Sequence, residues 1–340
     1  MKELQTKKRN GVIDTFRFLY ALVIMAGHSV TVGVKSPFPF ESVGILVEFF
    51  LFLSGFLACE SFSKNSTVNN LEYFDVAIKS TIKKIRPFVP YLVISVCLSY
   101  SLIYKDIFKG GGAFVRLFYE MFLLNYAFDI GIRVAPLFYL AAMVVVFPIF
   151  AILCQLKNNT FKLIIAMYSF ILYYHDLNDA VTATYPYVLL RVFCGMCGGI
   201  LIWNLVKHFN ANKQRNKFYA LVGLLLCSSP LVLSGLQKLD RRLALICEFI
   251  GILFVFLDAS NLKSKSNTIT DFFAKMSMAI YILHWSIGEN ISHRFPKLTI
   301  KYKIFLYYTI TIGIAVIIIL LIDCWNNRKK RSIKFSAVSY

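Results

Sequence analysis

Charge is what this sequence has least of. Only 16% of its 340 residues are Asp, Glu, Lys or Arg, and acids are the scarcer kind, 18 against 37 bases. Soluble domains carry about 25% charged and about 45–50% apolar residues. A hydrophobic content of 58% and a mean hydropathy of +0.64 therefore exclude an ordinary water-soluble chain. No Gly/Ser-rich linker or second composition regime breaks the pattern, so nothing marks an appended soluble domain. No small-residue cleavage site follows the first apolar run cleanly, and that run reads as an uncleaved span rather than a signal peptide. The eight cysteines, from Cys59 to Cys324, lie in or at the ends of apolar segments, which argues against a disulfide framework. Cys194 and Cys197 form one C-x-x-C at helical spacing with no second pair, a packing role is expected of them, and no metal site is foreseen. The net charge of +19 does not indicate a nucleic-acid partner, because the bases sit in short connections rather than in one patch.

Long apolar runs are what the chain does have. They lie near residues 12–32, 42–61, 87–105, 135–155, 161–175, 185–206, 217–235, 242–258, 272–290 and 303–324. The expectation is an all-α polytopic membrane protein with about ten transmembrane helices, in which the run at 161–175 is short and that at 272–290 is polar for a lipid-facing helix. With an even number of spans and the N-terminus inside, inside segments hold 23 lysines and arginines and outside segments 12. By the positive-inside rule both termini are expected in the cytoplasm. Residues 1–324 read as one membrane domain and 325–340 as a basic cytoplasmic tail.

The connection at 106–134 is too long for a turn. It places Phe114, Leu117, Phe118, Met121 and Phe122 on one helical face and spaces Arg116 and Glu120 at i, i+4 on the other, as an interfacial or re-entrant helix would. The connection at 291–303 carries Arg294, Lys297, Lys301 and Lys303, most simply as solvated charge.

Within the first span, Arg17 and His28 are ionisable where lipid tolerates neither cheaply, at about 2.5–3.5 kcal/mol each on insertion scales. Eleven positions at about 100° each put them on nearly one helix face, ~16 Å apart along the axis, looking into one shared cavity. Asp14, one turn before Arg17, is placed to hold its guanidinium. Glu48 is an acid inside the second span, a partner for Arg17 or His28. Arg191 and Glu248 read as a structural ion pair between helices. Ser277, Tyr281 and His284 share one face of the ninth span. Ser54 and Gly55 either let helix backbones approach or place a hydroxyl in the cavity, and small-residue packing is the simpler reading.

Five local patterns in order resemble the membrane acyltransferase type 3 family. The first span reads I-D-T-F-R, then ten residues, then His28. The others are VEFFLFLSGFLA at 47–58, IKKIRPFVP before the third span, APLFYLAAMVVVFP at 135–148 and MSMAIYILHW at 276–285. The family's cytoplasmic pair is two arginines three apart; here Lys83 and Arg86 stand in that relation, with Lys84 the alternative register if Pro87 sets the alignment. Phe138 stands where the family usually shows tryptophan.

The resemblance implies a multi-pass enzyme of the plasma (inner) membrane moving an acyl group, acetyl in the simplest case, from acyl-CoA to a hydroxyl of a cell-surface or extracellular polysaccharide or related glycan. It implies His28 as the catalytic base and Arg17, Lys83 and Arg86 as contacts for coenzyme A phosphates. Asp14, Glu48, Ser54, Tyr281 and His284 are then supporting or acceptor-side groups. Acyl-CoA is a donor substrate rather than a tightly bound cofactor, and the other partners are the glycan acceptor and the bilayer. The alternative is a transporter or flippase for a glycan or lipid-linked substrate, which also needs intramembrane charge, although no inverted repeat and no paired Gly/Pro-broken helices are seen.

Overall fold

A computed structural model describes residues 10–33, 43–63, 73–104, 111–175, 186–211, 217–235, 240–259 and 267–338. The basic arm through Arg9 lies outside these residues, as do parts of several connections and the chain's last two residues. The described chain is helical, with no strand among the described residues. In order the helices are α1 (Gly11–Gly27), α2 (Val47–Ser63), α3 (Tyr73–Ile85), α4 (Val89–Tyr100), α5 (Gly111–Met121), α6 (Leu137–Gln155), α7 (Asn159–His175), α8 (Tyr187–Ala211), α9 (Lys217–Gly235), α10 (Arg241–Ala259), α11 (Thr268–Arg294) and α12 (Ile300–Val338). A helix occupies every apolar run named above, and among the described residues six segments are long and apolar enough to cross a membrane. These are Gly11–Val32, Val43–Ser63, Tyr73–Ile103, Leu137–Gln155, Tyr187–Phe209 and Ile300–Arg328. Ten spans are thus not reached on this measure. The 17-residue α7 is too short, α9 offers a shorter apolar stretch at Leu221–Leu233, and α11 is polar along much of its length. Past residue 324, α12 continues as helix to Val338.

Local chemistry sets several boundaries. The Asn10 side chain accepts from the N–H groups of Val12 and Ile13 and caps α1. Asn267 and Thr270 form a reciprocal capping box at the start of α11. Pro87 and Pro90, each lacking a backbone N–H, fall where a 3₁₀ turn at Arg86–Phe88 breaks the rod of α3 and α4.

Packing is organised by parallel pairs. Phe18 stacks on Phe273 with ring centroids 4.7 Å apart, and further along the same two helices His28 meets His284. α1 and α11 therefore run side by side in one direction. The same holds for α2 and α8, where Glu48 meets Arg191 at one end and Gly55 meets Met196 further on. A Cβ on Gly55 would drive into the Met196 backbone, and one on Gly199 into that of Phe52 and Phe56. These glycines let two helix backbones touch, as small residues do inside membranes. Cys194 and Cys197 are buried on α8 in this same layer.

The buried ion pair also sits here. Arg191 Nε donates to Glu48 Oε1 at 2.7 Å, and its Nη2 also donates to the Gly44 carbonyl at 2.6 Å. Glu48 therefore belongs to Arg191 rather than to Arg17 or His28. Arg191 in turn takes Glu48 rather than Glu248, which is buried on α10. Glu48→Ala would strand a buried guanidinium, and we expect it to cost about 3–5 kcal/mol of stability, read as a large fall in the thermal midpoint of detergent-solubilised protein.

The helix expected within 106–134 is present as α5, ending at Met121, and differs from its reading in one respect. Phe114, Val115, Phe118 and Phe122 are exposed, as an interfacial face requires, but Glu120 turns inward instead of facing out with Arg116. Its Oε1 accepts the Arg133 N–H and, at 3.1 Å, the Val134 N–H. Burial pushes this carboxyl above its ordinary range, and the two backbone donors work against that rise. Glu120 thereby fastens the loop leading into α6.

Candidate active site

A cavity of about 300 Å³ opens among α1, α2, α3, α6 and α11. Three cations line it, Arg17, Lys83 and Lys84, together with Ser54, Tyr139, Ser277 and Tyr281, and apolar side chains such as Phe50 and Met143 complete the wall. Arg17 keeps its place through Asp14, whose Oδ1 accepts from Nη1 at 3.3 Å, one helical turn away as expected. Lys84 reaches inward, donating to the Ser54 carbonyl at 3.4 Å with its ammonium 4.7 Å from the centre of the Phe147 ring. Ser54 Oγ and the Tyr139 hydroxyl are 2.8 Å apart. Ser54 and Gly55 thus divide the roles considered for them, the hydroxyl facing the cavity and the glycine facing α8.

The geometry separates the two registers of the basic stretch. Arg86 is exposed in the 3₁₀ turn and does not line the cavity, while Lys84 does. Residues 83 and 84 sit at the end of α3 and project toward α6 and α2, whereas the proline-bearing turn carries residue 86 away.

His28 also departs from expectation, because it does not line this cavity. It caps α1 and begins a 3₁₀ turn, His28–Val32, held by the Thr31 hydroxyl donating to the His28 carbonyl at 2.8 Å. Thr31 lies directly against Gly288 of α11, where a Cβ would clash with it. What His28 meets is a second imidazole. Its Nδ1 lies 2.9 Å from His284 Nε2, the two nearly parallel rings meet edge to edge with centroids 5.1 Å apart, and Trp285 packs against His28 in a T-shaped contact.

The tautomers follow from the chain of acceptors. His284 Nδ1 is 2.9 Å from the Ile280 carbonyl oxygen, which only accepts, so in the neutral ring Nδ1 carries the proton. His284 Nε2 is then an acceptor, and the proton in the contact between the rings belongs to His28 Nδ1. That leaves the lone pair of His28 on Nε2, the atom free to take a proton. His284 is fully buried and His28 only partly, so the outer member of the pair is the reachable one.

Tyr281 joins the two parts. It lines the cavity, and its ring centroid is 6.3 Å from that of His284, one turn further along α11. Ser277 and Tyr281 therefore share the cavity face foreseen for them, while His284 lies beyond it. Tyr139 was not singled out from sequence; its signal was its place as the second aromatic of the Pro-Leu-aromatic-aromatic-Leu run. The pairing of His28 with His284 had no local signal, since 256 positions separate them.

If His284 fixes the tautomer, His284→Ala should lower turnover at least about tenfold, and His284→Gln, whose amide oxygen can accept from His28 Nδ1, should recover part of it. Equal loss in both variants would mean that the ring serves packing alone.

No curated protein and no solved structure matches this chain. A family model described as an acyltransferase domain, acyltransferase-3, matches residues 10–324, nearly the whole chain. Members of that family transfer acyl groups other than amino-acyl groups. With its apolar helices, basic cavity and paired histidines, the chain belongs to the acyltransferase-3 family and is a membrane acyltransferase.

Proposed function

We propose that the protein moves an acyl group, acetyl in the simplest case, from acyl-CoA to a hydroxyl of a cell-surface or extracellular polysaccharide or a related glycan. The observation that carries this reading is the placement of three cations and a histidine pair at different levels along the same parallel helices. Phosphates need cations and hydrogen-bond donors, which Arg17, Lys83 and Lys84 supply. A cavity of about 300 Å³ suits the thioester-bearing arm and its nearest phosphate, leaving the nucleotide at the mouth beside exposed Lys83.

An alcohol is a poor nucleophile until its proton begins to leave. His28 Nε2 takes that proton as the hydroxyl oxygen bonds to the thioester carbon. The resulting tetrahedral centre collapses by breaking its bond to sulfur, and the departing thiolate recovers the proton from His28. His284 holds the imidazolium through the Nδ1–H throughout. Donor is consumed as a substrate, and no step requires a resident cofactor.

The same layout supports a sided reaction. Arg17 and Ser277 lie near the starts of α1 and α11, and His28 and His284 lie further along both. With the termini in a cytoplasm, as the basic bias suggests, the donor enters from the cytoplasmic face and the glycan meets His28 from the outer face of the plasma membrane. Incubating purified protein with radiolabelled acetyl-CoA and candidate glycans tests the reaction. Labelled ester is expected; a transporter or flippase for the same glycan yields none.

A further inference from the structure

The Tyr281 hydroxyl is a buried group without a partner among the described residues. Tyr281 is only 7% exposed, yet its oxygen makes no hydrogen bond there. Buried hydroxyls are ordinarily paired, and an unpaired one on a cavity wall calls for an explanation. The ring itself is fixed by aromatic neighbours alone. Phe50 lies 5.9 Å away, Tyr139 meets it edge-on at 6.3 Å, and His284 is at 6.3 Å between centroids. Tyr281 lines the basic cavity with its ring 6.3 Å from that of His284, and an O–H that the surrounding packing holds still and leaves unsatisfied beside that cavity is a preorganised donor.

We propose that the Tyr281 hydroxyl is a catalytic group that donates a hydrogen bond to the thioester carbonyl oxygen of the acyl donor, stabilising the oxyanion that forms when the acceptor attacks. The proposal rests on acyl-CoA entering the basic cavity. As the acceptor oxygen bonds to the carbonyl carbon, the carbonyl π electrons move onto oxygen, and Tyr281 meets that charge while keeping its own proton. When the carbon–sulfur bond breaks, the electrons return, the carbonyl re-forms and the tyrosine is unchanged. Such donors act most strongly where water is excluded and where they need not reorient. His28 and Tyr281 thus divide the work, one handling the proton of the nucleophile and the other the charge on the electrophile. Lys84 and Arg17 remain with the phosphates, and Ser54 and Tyr139 are already occupied with each other.

Tyr281→Phe removes one oxygen and no known hydrogen bond, so a merely structural tyrosine predicts a protein that melts no lower and turns over normally. The proposal predicts a fall in kcat of about 10²–10³-fold, with acyl-CoA affinity and thermal midpoint not lowered. Three measurements on purified wild type and Tyr281→Phe decide it: labelled transfer, equilibrium acyl-CoA titration and thermal denaturation. Normal kcat in the variant overturns the proposal while leaving the donor assignment standing, and so does a loss that appears only as weakened donor binding. If wild type neither binds acyl-CoA nor transfers its label, the donor reading fails and this role for Tyr281 falls with it.

Discussion

Replacing His28 by alanine should leave a folded protein that has lost transfer activity by about 10²–10⁴-fold, the contribution of a positioned general base. The expectation rests on which atom is free. The Ile280 carbonyl fixes the proton on His284 Nδ1, His284 Nε2 then accepts from His28, and His28 Nε2 is left with its lone pair. Folding should survive because His28 sits at the cap of α1, where the next turn is held by Thr31 through a backbone carbonyl that alanine retains. His28→Gln is the sharper companion, since its amide keeps polarity and size but cannot take up a proton. Labelled-acetyl transfer by variants with wild-type melting behaviour is the measurement, and near-normal turnover in either would remove His28 as the base.

The second large effect separates the two registers of the basic stretch. Lys84→Ala and Arg17→Ala should each weaken acyl-CoA binding by roughly tenfold or more, because a charge-assisted hydrogen bond in a secluded site is worth about 1.5–3 kcal/mol. Arg86→Ala should do much less, since Arg86 stands exposed outside the cavity. Arg17→Lys should recover only part of the affinity, because the charge survives while the fork held by Asp14 is lost. Titration of acyl-CoA into each variant reads these effects directly. If Arg86→Ala were the damaging change and Lys84→Ala harmless, the phosphates would bind outside this cavity.

Much of this architecture was legible from pattern alone, and the places where it was not have physical reasons. Apolar runs located the helices because burial in lipid or in protein demands apolar side chains either way. That same equivalence is why an apolar run marks a helix and not yet a span. α11 reads as a span yet is mostly packed inside the bundle, with Ser277, Ser286 and Asn290 among its buried residues. Charge alone misplaced partners. Glu48 was correctly suspected of pairing, but Arg191 was chosen by the close approach of α2 and α8, a tertiary fact that depends on Gly55 and Gly199. Glu120 sat at the right spacing to pair with Arg116, and two backbone N–H groups from a later loop won it instead. For the site, spacing on one helix put Arg17 and His28 on a common face but could not say that the basic cavity would be lined by Arg17 and Tyr281 and not by His28. Lys84 was visible only as a second choice because three basic residues within four positions differ in direction, not in charge, and direction comes from the turn at Pro87.

Donor and acceptor are expected to approach the reacting centre from opposite ends of the bundle, the donor through the cavity of Arg17 and Lys84 and the acceptor at His28. Sealed vesicles of known protein orientation test it most directly, with labelled acetyl-CoA supplied on the face where α1 begins and the glycan acceptor only on the other. The account predicts labelled ester under that arrangement and none when the two compartments are exchanged. Ester formed only when donor and acceptor share one compartment would contradict it.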